Sequence, residues 1–562
     1  MTDASAATGD DVPELRGAQR RLREAFLAHE SGLFVLDCNP GAGKSTVADR
    51  LAAEVLARGR AAGERAPERR ICVTSFARDD AAAVGPGVTA ALESIAARDD
   101  VRIDADDASD LARRLRRSDT LGTVDSVLHT VFADVASAVG FDGVPTVGDE
   151  TRLAALEADC LDALRDDPEH AARVERLDAA YPGGEHTAGL DALLPAMLRA
   201  ARQRRLSIDA FADRLRAVVD GTYPDGPPES FADVLRDVER FVDRRTAAET
   251  AANFDADARA AFVATDRGCE ESWREAIEDV RTLLGAYAER YDTLTRERGV
   301  VTHLDVAHWI ATYFEADRYA SDYRTHCRER YAARLDTLIV DEAQDVSVAQ
   351  HDALAPFVDA DTRVVLVGDR KQCIYTWRNA SPERFARAAT TGEYFGVDWN
   401  THVRERAART YRSRPDVAAA VDAVFADAFD DPTHGAAGSL DIDYPHLVAD
   451  CESTRETNVH VAAHGANGSP GTPDWAEWEA RALASYLAGA FDDGTFENGG
   501  DEESGSDGSG SEDESGVGEG EDEHDERPSV TVLFPRRTRM GMFAAELDAR
   551  GLSVADASER LF

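Results

Sequence analysis

The chain has 562 residues and a formal net charge of −44, and no stretch approaches the roughly 18 apolar residues of a membrane span. Its acidic N-terminus has no apolar core and argues against a secretory signal peptide, while its seven cysteines show neither a CxxC pair nor a zinc-type spacing. The length allows several domains, and we expect a cytoplasmic protein with reduced cysteines and no membrane partner.

The acidic charge does not by itself decide the partner. Acid excess normally argues against a nucleic-acid partner. All but two of the 63 basic residues are arginine, however, and this scarcity of lysine, with abundant Asp and Ala, resembles proteins of salt-accumulating archaea. At molar salt the Debye length falls to about 3 Å, so bulk charge no longer repels a polyanion.

A strand, a glycine-rich loop and a helix follow one another near the N-terminus. The apolar run Leu33–Leu36 predicts a buried strand, and Val47, Leu51 and Val55 recur at helical spacing. The loop between them fits GxxxxGK[ST] except at its first fixed position, which is Cys38.

This loop predicts a phosphate site. Glycines let backbone N–H groups approach phosphate oxygens at a helix N-terminus, while Lys44 can reach the β and γ phosphates and the Ser45 hydroxyl can ligate Mg²⁺. Lys44 is one of two lysines, the other being Lys371, which indicates that arginine cannot replace it. The candidate nucleotide-binding residues are Asn39, Pro40, Gly41, Ala42, Gly43, Lys44, Ser45 and Thr46.

The segments around the loop carry weaker signals. Residues 14–27 predict a short helix in which Gln19 could contact an adenine edge, although an ordinary surface glutamine is the simpler interpretation. Arg70–Thr74 predicts a second buried strand, and Gly122–Ser126 opens another helical pattern. Residues 135–300 are almost wholly helix-patterned without recognisable chemistry, so we interpret them as a helical insertion domain.

A third predicted strand, Thr337–Val340, delivers two adjacent carboxylates at its C-terminal end. Asp341 would hold Mg²⁺, through water, and Glu342 would orient and deprotonate the water that attacks ATP. A charged turn after a core strand is the ordinary alternative, but the glycine-rich loop upstream favours the catalytic interpretation.

A fourth predicted strand, Val364–Val367, is followed by a second group of polar residues. Gln372 is placed to sense the γ-phosphate or its water. Tyr375, Trp377 and Arg378 give two aromatic faces and a guanidinium within four residues, which favours a stacking platform for single-stranded bases. Aromatics two residues apart also occur on plain strands. Because open parallel sheets bind ligands beyond their strand C-termini, all these groups are expected at one edge.

Taken together, the motifs resemble those of the UvrD/Rep family of superfamily 1 DNA helicases. GDRKQCIYTWRNA, residues 368–380, is similar to motif III of that family, DEAQD, residues 341–345, resembles motif II, and the glycine loop resembles motif I. Gln19 stands at the position of the Q motif.

The same resemblance adds two residues to the nucleotide site. Thr410–Ser413 is similar to the NYRS sequence of motif IV, which implies that Tyr411 stacks on adenine and that Arg412 is an arginine finger to the γ-phosphate. Thr46 departs from the pattern, because UvrD has there the arginine that completes the adenine sandwich.

The resemblance also implies contacts to single-stranded DNA. Residues 73–78 resemble motif Ia, and residues 123–126 stand near the TxHS segment, with Asp125 where histidine is usual. The implied DNA-binding residues are Thr74, Phe76, Thr123, Tyr375, Trp377 and Arg378.

The implied fold class is α/β, with P-loop RecA-like motor domains built on parallel sheets, the first interrupted by a helical subdomain. Residues 1–134 and 301–400 would form the first motor domain and residues 135–300 the helical subdomain. Residues 401–562 would form part of the second motor domain, in which residues 530–554 resemble the strand and helix that resume it. The acidic, Gly- and Ser-rich residues 492–526 would be a disordered loop within it.

The resemblance implies an ATP-dependent helicase or translocase that uses Mg²⁺ with ATP, acts on single-stranded or partly duplex DNA with 3′ to 5′ polarity, and serves repair or recombination. Two alternatives stay open: a DNA-stimulated ATPase that does not unwind, and a non-catalytic ATP- and DNA-binding subunit. No segment resembles motifs V and VI, so we expect a truncated or split motor whose missing half a partner subunit supplies, and which alone hydrolyses ATP slowly.

Overall fold

The computed structural model divides into two compact units, Met1–Val459 and His460–Phe562. Among the described helices, none combines the length and the apolar character that a membrane crossing requires. The described residues are 13–76, 78–97, 101–180, 190–220, 270–373, 380–430, 446–450, 473–492, 530–534 and 539–554.

Six strands within the described residues form one parallel sheet in the first unit, in the order β3–β2–β6–β7–β1–β8. Two short parallel pairs, β4 with β5 and β9 with β10, complete the strand inventory of this part of the chain. The strands are β1 (Gly32–Cys38), β2 (Ile71–Ser75), β3 (Leu121–Thr123), β4 (Thr146–Val147), β5 (Val300–Val301), β6 (Thr337–Val340), β7 (Arg363–Gly368), β8 (His402–Ala407), β9 (Arg409–Thr410) and β10 (Val448–Ala449).

Helices connect and cover these strands. They are α1 (Gly17–Ala28), α2 (Lys44–Ala61), α3 (Arg78–Ala96), α4 (Ala105–Leu115), α5 (Val124–Val135), α6 (Glu150–Asp166), α7 (Ala171–Ala180), α8 (Leu190–Gln203), α9 (Ile208–Asp220), α10 (Glu270–Arg298), α11 (His303–Glu315), α12 (Asp322–Ala332), α13 (Val348–Leu354), α14 (Pro382–Thr390), α15 (Pro415–Asp430), α16 (Pro473–Asp492) and α17 (Met540–Asp548).

The central strand β1 is buried on both faces, which explains its continuous apolar sequence. Phe34 and Leu36 pack with α1 to α4 on one side, whereas Leu33 and Val35 pack with α5 and α11 to α14 on the other. This arrangement of helices on both faces of a parallel sheet is the α/β fold that the P-loop pattern predicted.

The parallel register brings the strand ends that carry polar residues to one edge of the sheet. Leu36 of β1 pairs with Val367 of β7, and Val340 of β6 pairs with Leu366 of β7 and with Thr74 of β2. The segments that follow these strands therefore begin side by side.

Helices α6 to α10 form a separate apolar core in the described part of residues 135–300. Arg202, near the end of α8, joins this core to the helices that cover the six-stranded sheet, through ion pairs with Asp292 of α10 and Asp305 of α11. Tyr291 donates a hydrogen bond to the same Asp305 carboxylate at 2.9 Å.

The four strands predicted before residue 400 correspond to β1, β2, β6 and β7, and the six-stranded sheet contains two more that the sequence did not predict. The short β3 pairs with β2, and β8 pairs with β1 over Leu33 to Cys38. Strand β8 therefore extends the first sheet beyond the predicted domain boundary at residue 400. Its alternating Val, Arg and Glu residues suit a half-buried edge strand and do not form an apolar run.

In the second unit, α16 and α17 pack through Ala484, Leu487 and Leu547. Residues 530–534, for which we expected a strand, have no regular secondary structure. A strand needs a neighbour for its backbone hydrogen bonds, and no pairing partner is found among the described residues. The acidic loop, apart from Asp492, lies outside the described residues.

Candidate functional site

The glycine loop runs from the end of β1 to the first turn of α2. Gly41 and Gly43 have φ values of +70° and +73°, which residues with a Cβ rarely adopt. A Cβ on Gly41 would lie 2.4 Å from Thr410 Oγ1, and a Cβ on Gly43 would lie 2.6 Å from Gln19 Nε2. The loop therefore requires glycine at both positions for conformation, and at Gly41 also for space, since a Cβ there would lie 2.8 Å from Arg412 Cβ.

Strand β8 and the turn after it hold the loop from one side. Asn39 donates its backbone N–H to Ala407 O at 2.8 Å and its side-chain amide to Ala408 O at 3.0 Å. Tyr411 donates its backbone N–H to Gly41 O at 2.8 Å. The glycine loop and the predicted motif IV segment, residues 410–413, are thus adjacent, although Gly41 and Tyr411 are 370 positions apart in the sequence.

Lys44 contacts two of the predicted catalytic residues. Its Nζ lies 2.5 Å from Glu342 Oε2 and donates to Gln372 Oε1 at 3.0 Å. Burial disfavours the charged ammonium, but the Glu342 carboxylate outweighs it and raises the pKa of Lys44. The ammonium is therefore a fixed positive charge between the ends of β1, β6 and β7.

Ser45 and Asp341 form a second contact at the same edge. The Ser45 hydroxyl donates to Asp341 Oδ2 at 2.8 Å, while Asp341 Oδ1 accepts the Glu342 backbone N–H at 2.9 Å. Burial, and then the charge of Glu342, raises the pKa of Asp341 to about 6. Two oxygen donors, one of them a buried carboxylate that a cation would stabilise, fit Mg²⁺.

Glu342 is held in an uncommon backbone conformation with φ of +52°. Gln344 supports it by donating to Glu342 Oε2 at 2.7 Å, while its own Oε1 accepts the Asp369 backbone N–H at 2.9 Å. The Glu342 side chain keeps 22% of its surface exposed. It is therefore oriented by protein groups and still accessible to solvent.

A cavity of about 460 Å³ opens beside the loop, and Gln19 and Tyr411 both line it. Arg16, Arg409 and Asp450 lie at the same cavity, where Asp450 pairs with both guanidinium groups. The position of this cavity next to the glycine loop suits the base of a nucleotide.

The Gln19 amide is engaged at both ends. It donates to Ala42 O at 2.7 Å and accepts the Arg16 backbone N–H at 3.0 Å. Gln19 therefore links the start of α1 to the glycine loop, a tertiary role that the sequence pattern did not reveal.

The remaining predicted nucleotide residues lie around the loop. Pro40 and Thr46 are half-buried, and Ala42 is buried. Arg412 is exposed, and its Cβ lies 2.8 Å from the position that a Cβ on Gly41 would take. The arginine-finger prediction for Arg412 is thus compatible with its location beside the phosphate loop.

Three of the six predicted DNA-binding residues lie in the described part of the chain. Phe76 and Thr123 are half-buried and follow or end the neighbouring strands β2 and β3. Thr74 has no exposed surface and its hydroxyl contacts Ile339 O at 3.4 Å, so in this structure its side chain cannot reach DNA. Tyr375, Trp377 and Arg378 lie outside the described residues.

Three further side chains of this edge were not predicted from the sequence. Gln344 orients Glu342, Asp369 is fully buried after β7, and Lys371 pairs with Asp369 at 2.6 Å. The scarcity of lysine could have pointed to Lys371 as it did to Lys44.

Comparison with known proteins agrees with this geometry. A family model described as the UvrD/REP helicase N-terminal domain matches residues 19–391. This match includes the glycine loop, the helical segment, and the Asp341, Glu342 and Gln372 region.

Similar curated proteins are named as one subunit of an ATP-dependent helicase/nuclease. The protein of Syntrophomonas wolfei is 27% identical over 143 residues, which cover 25% of this chain and 11% of that protein. The protein of Alkaliphilus oremlandii is 29% identical over 147 residues, or 26% of this chain and 11% of that protein. The protein of Staphylococcus carnosus is 24% identical over 186 residues, or 30% of this chain and 15% of that protein.

This chain therefore spans only 11% to 15% of the length of these relatives. The family model, in contrast, covers more than half of the chain. On that match, and with the geometry of the glycine loop, the chain belongs to the UvrD/REP helicase family.

Proposed function

We propose that the chain is the nucleotide-hydrolysing part of an ATP-dependent DNA helicase or translocase. The observation that carries this proposal is the convergence of Lys44, Ser45, Asp341, Glu342 and Gln372 at one sheet edge, with contacts of 2.5 to 3.0 Å. These are the groups that phosphoryl transfer from ATP requires for positioning, charge stabilisation and water activation.

Lys44 would link nucleotide binding to activation of the base. In the structure its ammonium pairs with Glu342 and Gln372. Phosphate oxygens at the glycine loop would compete for this ammonium and weaken its hold on the carboxylate. Glu342 would then be available to orient and deprotonate the attacking water, and Gln372 to contact the γ-phosphate.

Mg²⁺ would be held by Ser45 and Asp341. No group of three or more His, Cys, Asp or Glu side chains in the described residues could hold a metal, so nucleotide phosphates would supply further ligands. The ion would neutralise charge on the phosphates as the bond to the leaving group breaks.

Tyr411 and Gln19 would contact the nucleotide base, because both line the cavity beside the loop. Arg412 would reach the γ-phosphate as an arginine finger, which can be worth roughly 10³–10⁵ in rate. It lies two residues after the end of β9, so its approach would depend on the segment after the first sheet.

The nucleic-acid partner would be single-stranded or partly duplex DNA, with 3′ to 5′ movement and a role in repair or recombination. The match to a helicase family supports a nucleic-acid strand as the partner, and the relatives' names, which join a helicase to a nuclease, are consistent with a role in DNA processing. Because those relatives are named as subunits, we extend the proposal to a partner protein that completes the motor.

The test is ATP hydrolysis by the purified chain in concentrated KCl, with and without single-stranded DNA, beside Lys44→Ala as a matched inactive control. Stimulation by DNA that Lys44→Ala abolishes supports the proposal. A strand-separation assay on the same samples distinguishes unwinding from translocation alone. Nucleotide binding without any hydrolysis, with or without an added partner, would favour the non-catalytic subunit.

A further inference from the structure

The two lysines of the chain lie at the same sheet edge. Lys44 is on the first turn of α2, and Lys371 is in the turn that follows β7. Their side chains are 9% and 8% exposed, so both ammonium groups are buried. In a chain with 63 basic residues, both lysines serve one small region.

The Lys371 ammonium joins the ends of two adjacent strands. Its Nζ lies 2.6 Å from Asp369 Oδ1, directly after β7, and 3.4 Å from the carbonyl oxygen of Cys38, the last residue of β1. Asp369 has no exposed surface. The glycine loop begins at Cys38, so this contact ties the start of the phosphate loop to the turn after β7.

That turn carries Gln372. The backbone N–H of Lys371 donates to Asp369 Oδ1 at 3.0 Å, and the backbone N–H of Gln372 donates to Asp369 O at 3.0 Å. The Gln372 side chain then accepts from Lys44 at 3.0 Å. The turn is thus fixed to the loop at two points, by Lys371 to Cys38 and by Gln372 to Lys44.

A compact ammonium suits this site better than a guanidinium. The ammonium is a point donor that can reach a carboxylate and a carbonyl from one atom, whereas guanidinium is planar and larger. With 8% of the side chain exposed, little room is left for extra heavy atoms. The neighbouring Arg370 points to a different carboxylate, Asp37, at 3.9 Å.

We propose that Lys371 is a positioning residue for ATP hydrolysis: by pinning the Asp369 turn to the first residue of the phosphate loop, it sets the distance between Gln372 and the bound γ-phosphate. This inference rests on the proposed ATPase function. It assigns Lys371 no contact with the nucleotide, so its loss affects the rate of the chemical step and leaves nucleotide affinity nearly unchanged.

A simpler role must be separated from this one, namely that Lys371 only neutralises the buried Asp369. Lys371→Met removes the ammonium and keeps the length of the side chain, but it leaves an unpaired buried carboxylate that destabilises the fold. The double variant Asp369→Asn/Lys371→Met removes both charges, so its thermal stability returns toward that of the parent. The contact of Lys371 with Cys38 is then missing while no unpaired charge is left at residue 369.

The experiment compares parent, single and double variants by equilibrium binding of an ATP analogue and by single-turnover hydrolysis of ATP. Displacements near 1 Å can cost about 10²-fold in rate. We expect hydrolysis to fall about 10- to 100-fold in both variants, with Kd within about threefold of the parent. Arg205→Met, which removes a guanidinium with 14% of its side chain exposed that pairs with Glu315 and Asp352 at the junction with the helical segment, is the control that loses stability without losing rate.

Recovery of the parent rate in the double variant would overturn the proposal, because neutralising Asp369 would then account for Lys371. Hydrogen exchange of residues 369–373 with the analogue bound gives a second readout that needs no turnover. Protection in the parent that both variants lose supports the role of the Lys371–Cys38 contact, and equal protection in all three proteins contradicts it. If the parent binds no nucleotide, the proposed function fails before this inference is reached.

Discussion

Replacement of Glu342 by glutamine separates nucleotide binding from hydrolysis. Glutamine keeps the shape and an oxygen that can accept from Lys44, whose Nζ lies 2.5 Å from the carboxylate. It removes the negative charge that activates water and competes with phosphate for the ammonium. We therefore expect binding and hydrolysis to change in opposite directions.

The magnitudes follow from the burial of the pair. Exposed ion pairs contribute about 0–1 kcal/mol, and breaking a fully buried one costs about 3–5 kcal/mol. Lys44 and Glu342 are 9% and 22% exposed and fall between these limits. If Glu342→Gln removes about 1–1.4 kcal/mol of the Lys44–Glu342 attraction that competes with phosphate, ATP binding would tighten by up to about tenfold. Loss of the general base should lower hydrolysis by about 10²–10⁴-fold.

The assay is calorimetric binding of ATP with Mg²⁺ together with single-turnover hydrolysis. Glu157→Gln is the matched control, because the Glu157 side chain is 27% exposed and pairs with Arg199 within the helical segment. Its binding and hydrolysis should equal those of the parent. Hydrolysis by Glu342→Gln near the parent rate would refute the role of Glu342 as base, and weaker ATP binding would refute the competition for Lys44.

Two further predictions follow from the structure, and a third from the sequence. Gly41→Ala should abolish measurable nucleotide binding, because Gly41 has φ of +70° and the added Cβ would lie 2.4 Å from Thr410 Oγ1. The control Gly63→Ala, with φ of +86° and open space around the Cβ, should cost only about 1–2 kcal/mol of unfolding free energy. Nucleotide affinity and thermal unfolding of both variants check this. Burial, and then the charge of Asp341, raises the pKa of Asp49 to about 8. The folded state therefore binds this proton more tightly than the unfolded state, and the free energy of unfolding should fall as pH rises from about 4 to 8. Asp49→Asn should remove this fall, and the same pH dependence of unfolding in both proteins would contradict it. Trp377→Ala should weaken single-strand binding by about 1–3 kcal/mol per stacked base even in concentrated KCl, and unchanged affinity with intact folding would exclude the stacking platform.

Much of the sheet and the centre of the site could be predicted, because both depend on local sequence patterns. Continuous apolar runs marked β1, β2, β6 and β7, and the rule for parallel strand ends placed Lys44 near Glu342 and Gln372. Strand β8 was missed because an edge strand with alternating arginines carries no apolar run.

The contacts that could not be predicted depend on distant parts of the chain. The Gln19 amide bonds Ala42, and Lys371 reaches Cys38 across 333 positions, so neither contact leaves a local pattern. Thr74 was expected to contact DNA, yet its side chain has no exposed surface and its hydroxyl contacts Ile339 O of the neighbouring strand β6. Strand position at the functional edge therefore does not ensure that a side chain is exposed.

The most direct test of the ATP site is Mg²⁺-dependent binding of a non-hydrolysable ATP analogue to the purified chain. We predict binding that requires Mg²⁺, weakens at least about tenfold in Lys44→Ala and persists in Glu342→Gln. Binding that is indifferent to both Mg²⁺ and Lys44, or no binding by the folded parent, would contradict the assignment of this sheet edge as an ATP site.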